Sequence, residues 1–536
     1  MISERTQREF SQAIRENDLV RAAEVAEAAI ARGEAHEALY SLAGQRRQQL
    51  GDGQGAASLF MQAVEMAPDN PAVLAVAGDS LRYTGQLNES VRLFNRALER
   101  DPAFVGAWYG QALALEAMGR LDEAERSFAR VIQLAPATAS GYAGLASLQT
   151  QSGRIEEARQ NVRDALELGP NESATLLAQA RLAIAERRHG EAAEAVDTLL
   201  AQPGIPTEVE IAAYELLGDV RDRQDMVDEA FTAYARANSR FAQLHGGPGD
   251  ASVALGVIEE IARGLALLSP GSLAGPVSGV PQEAARHVFI LGYPRSGTTL
   301  TEQILATLPD VVTLEEARTF GGAEHLLSAS GLAELAALDS PDLDALRRDY
   351  WARVAAAGID VSGKTFVDMD PLKGAALPLI ARLFPEAHVI VVRRDPRDTI
   401  WSCFRRNFVF SPVTLEFTTI ERAARHYSAV MHLIEVCLQT LPINAFTLRY
   451  EDLVADFDAT TQAICRFLDL SWAPQMREFG RSARTRTVRT ASGPQVRGPL
   501  FDGTGQWQKY ARYLEPAIPL ITQWIAAPDG AGGDGS

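Results

Sequence analysis

Three cysteines among 536 residues, Cys403, Cys437 and Cys465, are too few and too irregularly spaced for a disulfide framework or a metal-ligand set. They suit a reducing compartment and burial as small apolar side chains. No run of about 18 apolar residues occurs, so no membrane span is expected. The chain opens on Met1-Ile2-Ser3-Glu4-Arg5, charged at once and without the apolar stretch of a signal peptide. A soluble, cytoplasmic protein is the expectation. Positive charge is also short: 51 Lys and Arg against 69 Asp and Glu leave a net charge of −18. That balance argues against nucleic acid or an anionic membrane as the main partner. Apolar residues are plentiful at 46%, enough for the two or three domains that this length predicts.

The first half repeats itself. Pro68, Pro102, Pro136 and Pro170 fall 34 residues apart, and Gly51, Gly85, Gly119 and Gly153 keep the same step. So do Ala56, Ser90, Ala124 and Ala158. In each unit the glycine releases one helix, the small residue lets a second approach closely, and the proline stops it. This pattern resembles the tetratricopeptide repeat (TPR) and predicts an all-α superhelix. Clear repeats span residues 36–172 and degenerate ones continue to 241, with 1–35 as a cap. The concave face is a groove for a peptide or partner, or else the array is a packing scaffold. Residues 242–281 read as a helical segment and a Pro/Gly-rich linker, 282–526 as a second domain, and 527–536 as a disordered tail.

The second domain is organised around Gly292-Tyr293-Pro294-Arg295-Ser296-Gly297-Thr298-Thr299. The apolar run from His287 to Leu291 before it reads as a buried strand, and Leu300, Ile304, Leu305 and Leu308 after it recur at helical spacing. Strand, glycine-bearing loop and helix form an anion cradle. The spacing is that of a P-loop, but Thr298 stands where the phosphate-gripping lysine belongs. Arg295 supplies the charge from inside the loop instead. An ATP-dependent phosphotransferase therefore fails on Thr298.

A second strand, from His388 to Val392, runs into Arg393-Arg394-Asp395-Pro396-Arg397-Asp398 and then Ser402, Arg405 and Arg406. Five arginines at a strand's C-terminal end make a second anion site, with a salt-bridged helix face as the alternative. Two such sites suit a ligand with phosphates at both ends.

These two segments resemble the donor-binding motifs of the sulfotransferases. Joined to the repeats, they resemble the tetratricopeptide sulfotransferases, and the catalytic half resembles tyrosylprotein sulfotransferases. The resemblance implies a central parallel sheet and 3′-phosphoadenylyl sulfate (PAPS) as co-substrate, with no metal. It places Arg295, Ser296, Gly297, Thr298 and Thr299 on the 5′-phosphosulfate, and Arg394, Ser402 and Arg406 on the 3′-phosphate. Tyr450 matches a cofactor-contacting tyrosine, with a half-buried core tyrosine as the alternative. Ser492, in Ser492-Gly493-Pro494-Gln495-Val496, matches the late loop over the donor and a contact to the sulfonate or bridging oxygen; Gln495 and Val496 go with it, and Arg497 nearby has the right charge although the tyrosylprotein group has no arginine there.

Sulfuryl transfer needs a base for the attacking hydroxyl and donors for the charge that builds on the leaving phosphate. The resemblance implies Glu316 as that base. Glu315 beside it cannot point into the same pocket, and His325 is the runner-up. Two positions depart from the pattern. Met369 stands where the family has a lysine poised over the leaving group, so Lys373 or Lys364 would have to reach in. Gln506 stands where a basic residue precedes Trp507, with Lys509 nearby. The acceptor is a hydroxyl, protein tyrosine among the candidates, with the TPR groove recruiting a peptide or protein. Arg318 beside Glu316 would then favour acidic flanks. The rival reading is a TPR scaffold whose sulfotransferase-like domain binds nucleotide with little or no turnover.

Overall fold

Each 34-residue unit folds into two antiparallel helices, and the spaced landmarks explain how. The computed structural model describes residues 2–16, 18–50, 52–246, 252–274, 283–481, 496, 498 and 500–525. Helix pairs such as Pro71–Tyr83 with Leu87–Arg100 and Val105–Ala117 with Leu121–Leu134 recur in register. Gly85, Gly119 and Gly153 take φ of 76°, 69° and 79° between the two helices of their units. That left-handed turn suits glycine, yet Arg187 occupies the same register one unit later with φ 60°. The repeats called degenerate keep the geometry after losing the glycine. Ala56, Ser90, Ala124 and Ala158 are fully buried.

A second small-residue rule was not read from the sequence. Phe94 and Phe128 lie against glycines of the neighbouring helices: a Cβ at Gly110 would stand 2.4 Å from Phe94, and one at Gly144 2.3 Å from Phe128. Glycine here makes room for a ring. Helices Glu4–Arg15 and Leu19–Ala31 precede the clear repeats, and Val227–His245 ends the array. The chain divides into two compact units, Met1–Ala251 with Asn407–Leu415, and Ser252–Arg406 with Glu416–Ser536. Within the first, Phe410 stacks on His245 with ring centroids 4.5 Å apart, and Asn407 Nδ2 donates to Glu215 Oε2 at 3.1 Å.

The second unit is built on five parallel strands: β1 (Arg286–Leu291), β2 (Val311–Glu315), β3 (Thr365–Met369), β4 (His388–Arg393) and β5 (Asn444–Arg449). Their order across the sheet is β2-β3-β1-β4-β5. The three central strands are buried on both faces and mostly apolar, as a sheet covered by helices on each side requires. Val288, Ile290, Val367, Ile390 and Val392 enter one core. On the other face, His287, Phe289, Tyr350 and Trp351 form an aromatic cluster. Chain order reverses around β1, and ligands of open α/β sheets bind at the strand ends of such a switch point. Helix Val253–Leu267 belongs to this second unit and packs on helices Ala329–Ala337 and Ile420–Thr440. Among the described residues, no helix is long and apolar enough to cross a membrane.

Candidate active site

The loop after β1 is held in place by its glycines. A Cβ at Gly292 would stand 2.4 Å from the Val392 carbonyl oxygen, so only glycine lets the ends of β1 and β4 come this close. Gly297 has φ 110°, and a Cβ there would meet Tyr450 Cδ2 at 2.9 Å. The loop then enters helix Thr298–Leu305, whose first-turn N–H groups face the loop. Arg295 itself has φ 70°, a left-handed conformation that strains a non-glycine residue at a functional loop.

The two anion segments meet in one place. Arg295 Nε donates to Ser402 Oγ at 3.0 Å, and Arg394 Nη1 donates to the Arg295 carbonyl at 3.0 Å. Burial, then the neighbouring guanidiniums of Arg406, Arg405 and Arg394, push the Arg295 pKa down to about 9, with Cys403 opposing them. It stays protonated at neutral pH, among like charges. Ser296 Oγ and Arg394 Nε are buried without a hydrogen-bond partner. These atoms suit the oxygens of a phosphate.

Arg295, Gly297, Thr299, Arg394, Tyr450 and Val496 all line one recess. Leu300, Phe479, Leu500 and Phe501 supply its apolar wall. Thr298 is buried at the start of the helix. Tyr450 donates from its hydroxyl to the Phe501 carbonyl at 2.8 Å and accepts from Gly503 N at 3.2 Å. The Arg394 guanidinium lies over the Tyr450 ring at 4.7 Å and donates to the Gly503 carbonyl. Arg406 contributes its charge beside Arg295. Ser492, Gln495 and Arg497 lie outside the described residues.

Asp398 stands in the arginine-rich segment, where the sequence gives it no role of its own. It is 1% exposed and accepts from Gly505 N at 2.7 Å and Trp507 N at 3.0 Å, which latches the segment 503–507 onto helix Pro396–Phe404. Arg397 lies over the Trp507 ring at 3.9 Å. Gln506 Oε1 accepts from Arg405 Nη2 at 2.9 Å, so it orients a basic side chain instead of providing one. Lys509 is exposed.

The paired carboxylates separate at the end of β2. Glu315 is buried, whereas Glu316 is exposed and has φ 46°. Its N–H donates to the Met369 carbonyl at 2.7 Å. Burial of its surroundings, then Asp370, Glu315 and Glu302, push the Glu316 pKa up to about 8, and Lys373 opposes them. Water reaches the Glu316 side chain, so screening tempers the shift. Two strand spacings, about 10 Å, separate the ends of β2 and β1.

Met369 is fully buried in the core. Lys373 does not line the recess, and its ammonium is taken by Asp368 and, at 3.1 Å, by the Ala317 carbonyl. That placement departs from a lysine reaching toward the leaving group. Lys364 donates to the Asp360 carbonyl at 3.4 Å and is also absent from the recess. His325 is exposed on the 3₁₀ turn Glu324–Leu326, with Nδ1 3.0 Å from the Gly322 carbonyl. Arg318 is exposed and paired with Glu324.

Residues 287–474 match the model of the sulfotransferase family, and 76–139, 111–173 and 143–204 match tetratricopeptide repeats. An uncharacterized protein of Aquifex aeolicus is 26% identical over 62% of this chain and 44% of its own length. Protein-tyrosine sulfotransferase 2 of Gallus gallus is 26% identical over 35% of this chain and 52% of its own. The protein-tyrosine sulfotransferase of Drosophila melanogaster is 27% identical over 34% and 38%. The chain thus spans about half the length of these three relatives, or less. Among solved structures, a tetratricopeptide repeat protein from Parabacteroides merdae aligns over 46% of this chain and 94% of its own, with 19% identity and a TM-score of 0.37.

Proposed function

We propose that this chain, a sulfotransferase-family domain joined to tetratricopeptide repeats, moves a sulfuryl group from PAPS to an acceptor hydroxyl. The observation that carries the reading is the bond between Arg295 and Ser402, which makes the two anion segments a single site. Arg295, Ser296 and Thr299 take the 5′-phosphosulfate together with the backbone of Gly297 and Thr298. Arg394, Ser402 and Arg406 take the 3′-phosphate. An anion here relieves the repulsion between the buried Arg295 guanidinium and the half-buried Arg394, Arg405 and Arg406.

In the reaction the acceptor oxygen attacks sulfur, and Glu316 takes its proton. The bond from sulfur to the bridging phosphate oxygen breaks, and the N–H groups at the helix start with Arg295 stabilise the charge left there. The protein-tyrosine sulfotransferases among the relatives support tyrosine as one acceptor class, and the repeats offer a surface to recruit a peptide. The resemblance assigns Ser492, with Gln495, to the sulfonate end, and Arg497 nearby has the right charge to join them although the tyrosylprotein group has no arginine there. The cytoplasm remains the proposed location.

One observation favours the scaffold reading. Met369 can neither donate a hydrogen bond nor carry charge, and among the described residues no lysine lines the recess. The two readings part in a turnover assay: [35S]PAPS incubated with tyrosine-bearing acidic peptides and with hydroxyl-bearing glycans. Transfer that Glu316→Gln abolishes establishes the enzyme. Donor binding without any transfer across the panel establishes the scaffold.

A further inference from the structure

We infer that Lys373 is a positioning residue: pinned by Asp368, its ammonium holds the Ala317 carbonyl and thereby fixes the strained turn that presents the Glu316 carboxylate. This inference rests on Glu316 being the base.

A glutamate at φ 46° is unfavourable by itself and persists only where its surroundings impose it. Two bonds impose it here. The Glu316 N–H is tied to the end of β3 through Met369 O, and the Ala317 carbonyl accepts from Lys373 Nζ. The same carbonyl accepts from Thr319 N at 2.9 Å, which closes the turn on itself.

Asp368 organises the support from beneath. It is fully buried on β3, and Lys373, 6% exposed on the turn Pro371–Ala376, is its ion-pair partner. Its second oxygen accepts from Thr319 Oγ1 and from the Tyr350 hydroxyl, both at 2.8 Å. Asp368 therefore grips the Glu316 turn at two points, through Thr319 directly and through Lys373 and Ala317. Tyr350 gives its one proton to the carboxylate, so its oxygen accepts from His287 Nε2, 2.8 Å away. Burial, then Lys373, hold the His287 pKa down to about 3, which keeps it neutral with Nδ1 unprotonated. His287 Nδ1 is indeed buried without a partner.

A buried ion pair contributes little to stability compared with apolar residues of similar volume. Its presence under the turn is explained by what it holds in place. The charged groups facing Glu316 are Asp370 beyond β3, Glu315 on β2, Glu302 on the helix after the anion loop, and Lys373. Asp370 in turn faces Asp368, Glu324 and Lys373. Lys373 is the cation among them, so it sets both the place and the charge balance of the base.

The test compares Lys373→Met, Lys373→Arg and the double variant Asp368→Asn/Lys373→Met, which leaves no buried carboxylate unpaired, with Lys364→Met as control. The full chain is labelled with 13C at glutamate Cδ, and Glu316 is assigned by the resonance that Glu316→Gln removes. In both Met variants the Glu316 titration is expected to move up by about half a pH unit or more. Turnover is expected to fall roughly tenfold or more at unchanged KM for the donor. Lys373→Arg should restore most of both. The melting shift produced by adenosine 3′,5′-bisphosphate should persist throughout, because Lys373 stands outside the recess.

A folded double variant with wild-type titration and turnover overturns the proposal and leaves the network merely structural. Loss of the bisphosphate shift in Lys373→Met also overturns it, by placing Lys373 in the donor site. If wild-type protein shows neither bisphosphate binding nor transfer, the functional reading alone fails. The carboxyl titration still decides the positioning.

Discussion

Arg295 Nε donates to Ser402 Oγ at 3.0 Å across the ends of β1 and β4, although 107 residues separate them in the chain. Both side chains are buried, and Arg394 adds a second link through the Arg295 carbonyl. A buried guanidinium costs much desolvation unless it is bonded and faced by an anion. Burial together with the surrounding Arg406, Arg405 and Arg394 makes this corner of the sheet a place for a multiply charged ligand.

Ser402→Ala removes the hydroxyl that orients Arg295 without removing charge. It should weaken binding of adenosine 3′,5′-bisphosphate by about 10-fold, the effect of one hydrogen bond to a charged group. Isothermal titration at fixed ionic strength measures it. Unchanged affinity would mean that the Arg295–Ser402 contact is unrelated to the ligand.

Glu316→Gln should lower kcat by about 10²–10⁴-fold while leaving bisphosphate binding intact. In the wild type the ionised form is the active base, so kcat/KM should rise with pH up to about 8 and then level. Because the folded pKa is raised above the unfolded 4.5, the stability linked to this proton is present below that value and lost as pH rises through about 8. The wild-type melting temperature should therefore fall relative to that of Glu316→Gln between those limits. Calorimetric scans of the two proteins across that range give the comparison.

Gly297→Ala meets two obstacles: a φ of 110° and the Tyr450 ring at 2.9 Å. A cost of about 1–3 kcal/mol is expected, concentrated in the second unit. Urea unfolding followed by tryptophan fluorescence would detect it. A neutral substitution would show that the loop can relax away from Tyr450.

Much of this was legible because contiguous residues carry it. The 34-residue landmarks gave helix pairs, and the strand-loop-helix around Gly292 and Gly297 gave the anion cradle. The choice of Glu316 over Glu315 came from the resemblance and not from the residues' own pattern, since adjacent carboxylates differ only in the backbone turn that points one inward and leaves the other exposed. The latch role of Asp398 was not legible because its partners, Gly505 and Trp507, offer backbone N–H groups, which every residue has. Lys373 looked available because its partner Asp368 sits on a strand, where the fold, not the spacing, brings it beneath the Glu316 turn. Helix Val253–Leu267 read as part of an interdomain segment because its apolar positions do not say which unit they pack on.

The repeats offer a paired test of their own. Arg187→Gly should stabilise the first unit by about 1 kcal/mol, since glycine adopts its φ of 60° without strain. Gly144→Ala should destabilise it by about 1–3 kcal/mol, since a Cβ would stand 2.3 Å from the Phe128 ring. Opposite signs in far-ultraviolet circular-dichroism melts would establish that glycine serves conformation at one register and close packing at the other.

The most direct test is the melting temperature with and without adenosine 3′,5′-bisphosphate, against ATP with magnesium. Ligand at about 100 times its Kd stabilises the folded state by roughly 2.7 kcal/mol, a shift of a few degrees in the unit that binds. The account predicts that shift for the bisphosphate, little for ATP, and its loss in Arg394→Ala. No shift at saturating bisphosphate, or an equal one with ATP, would contradict it.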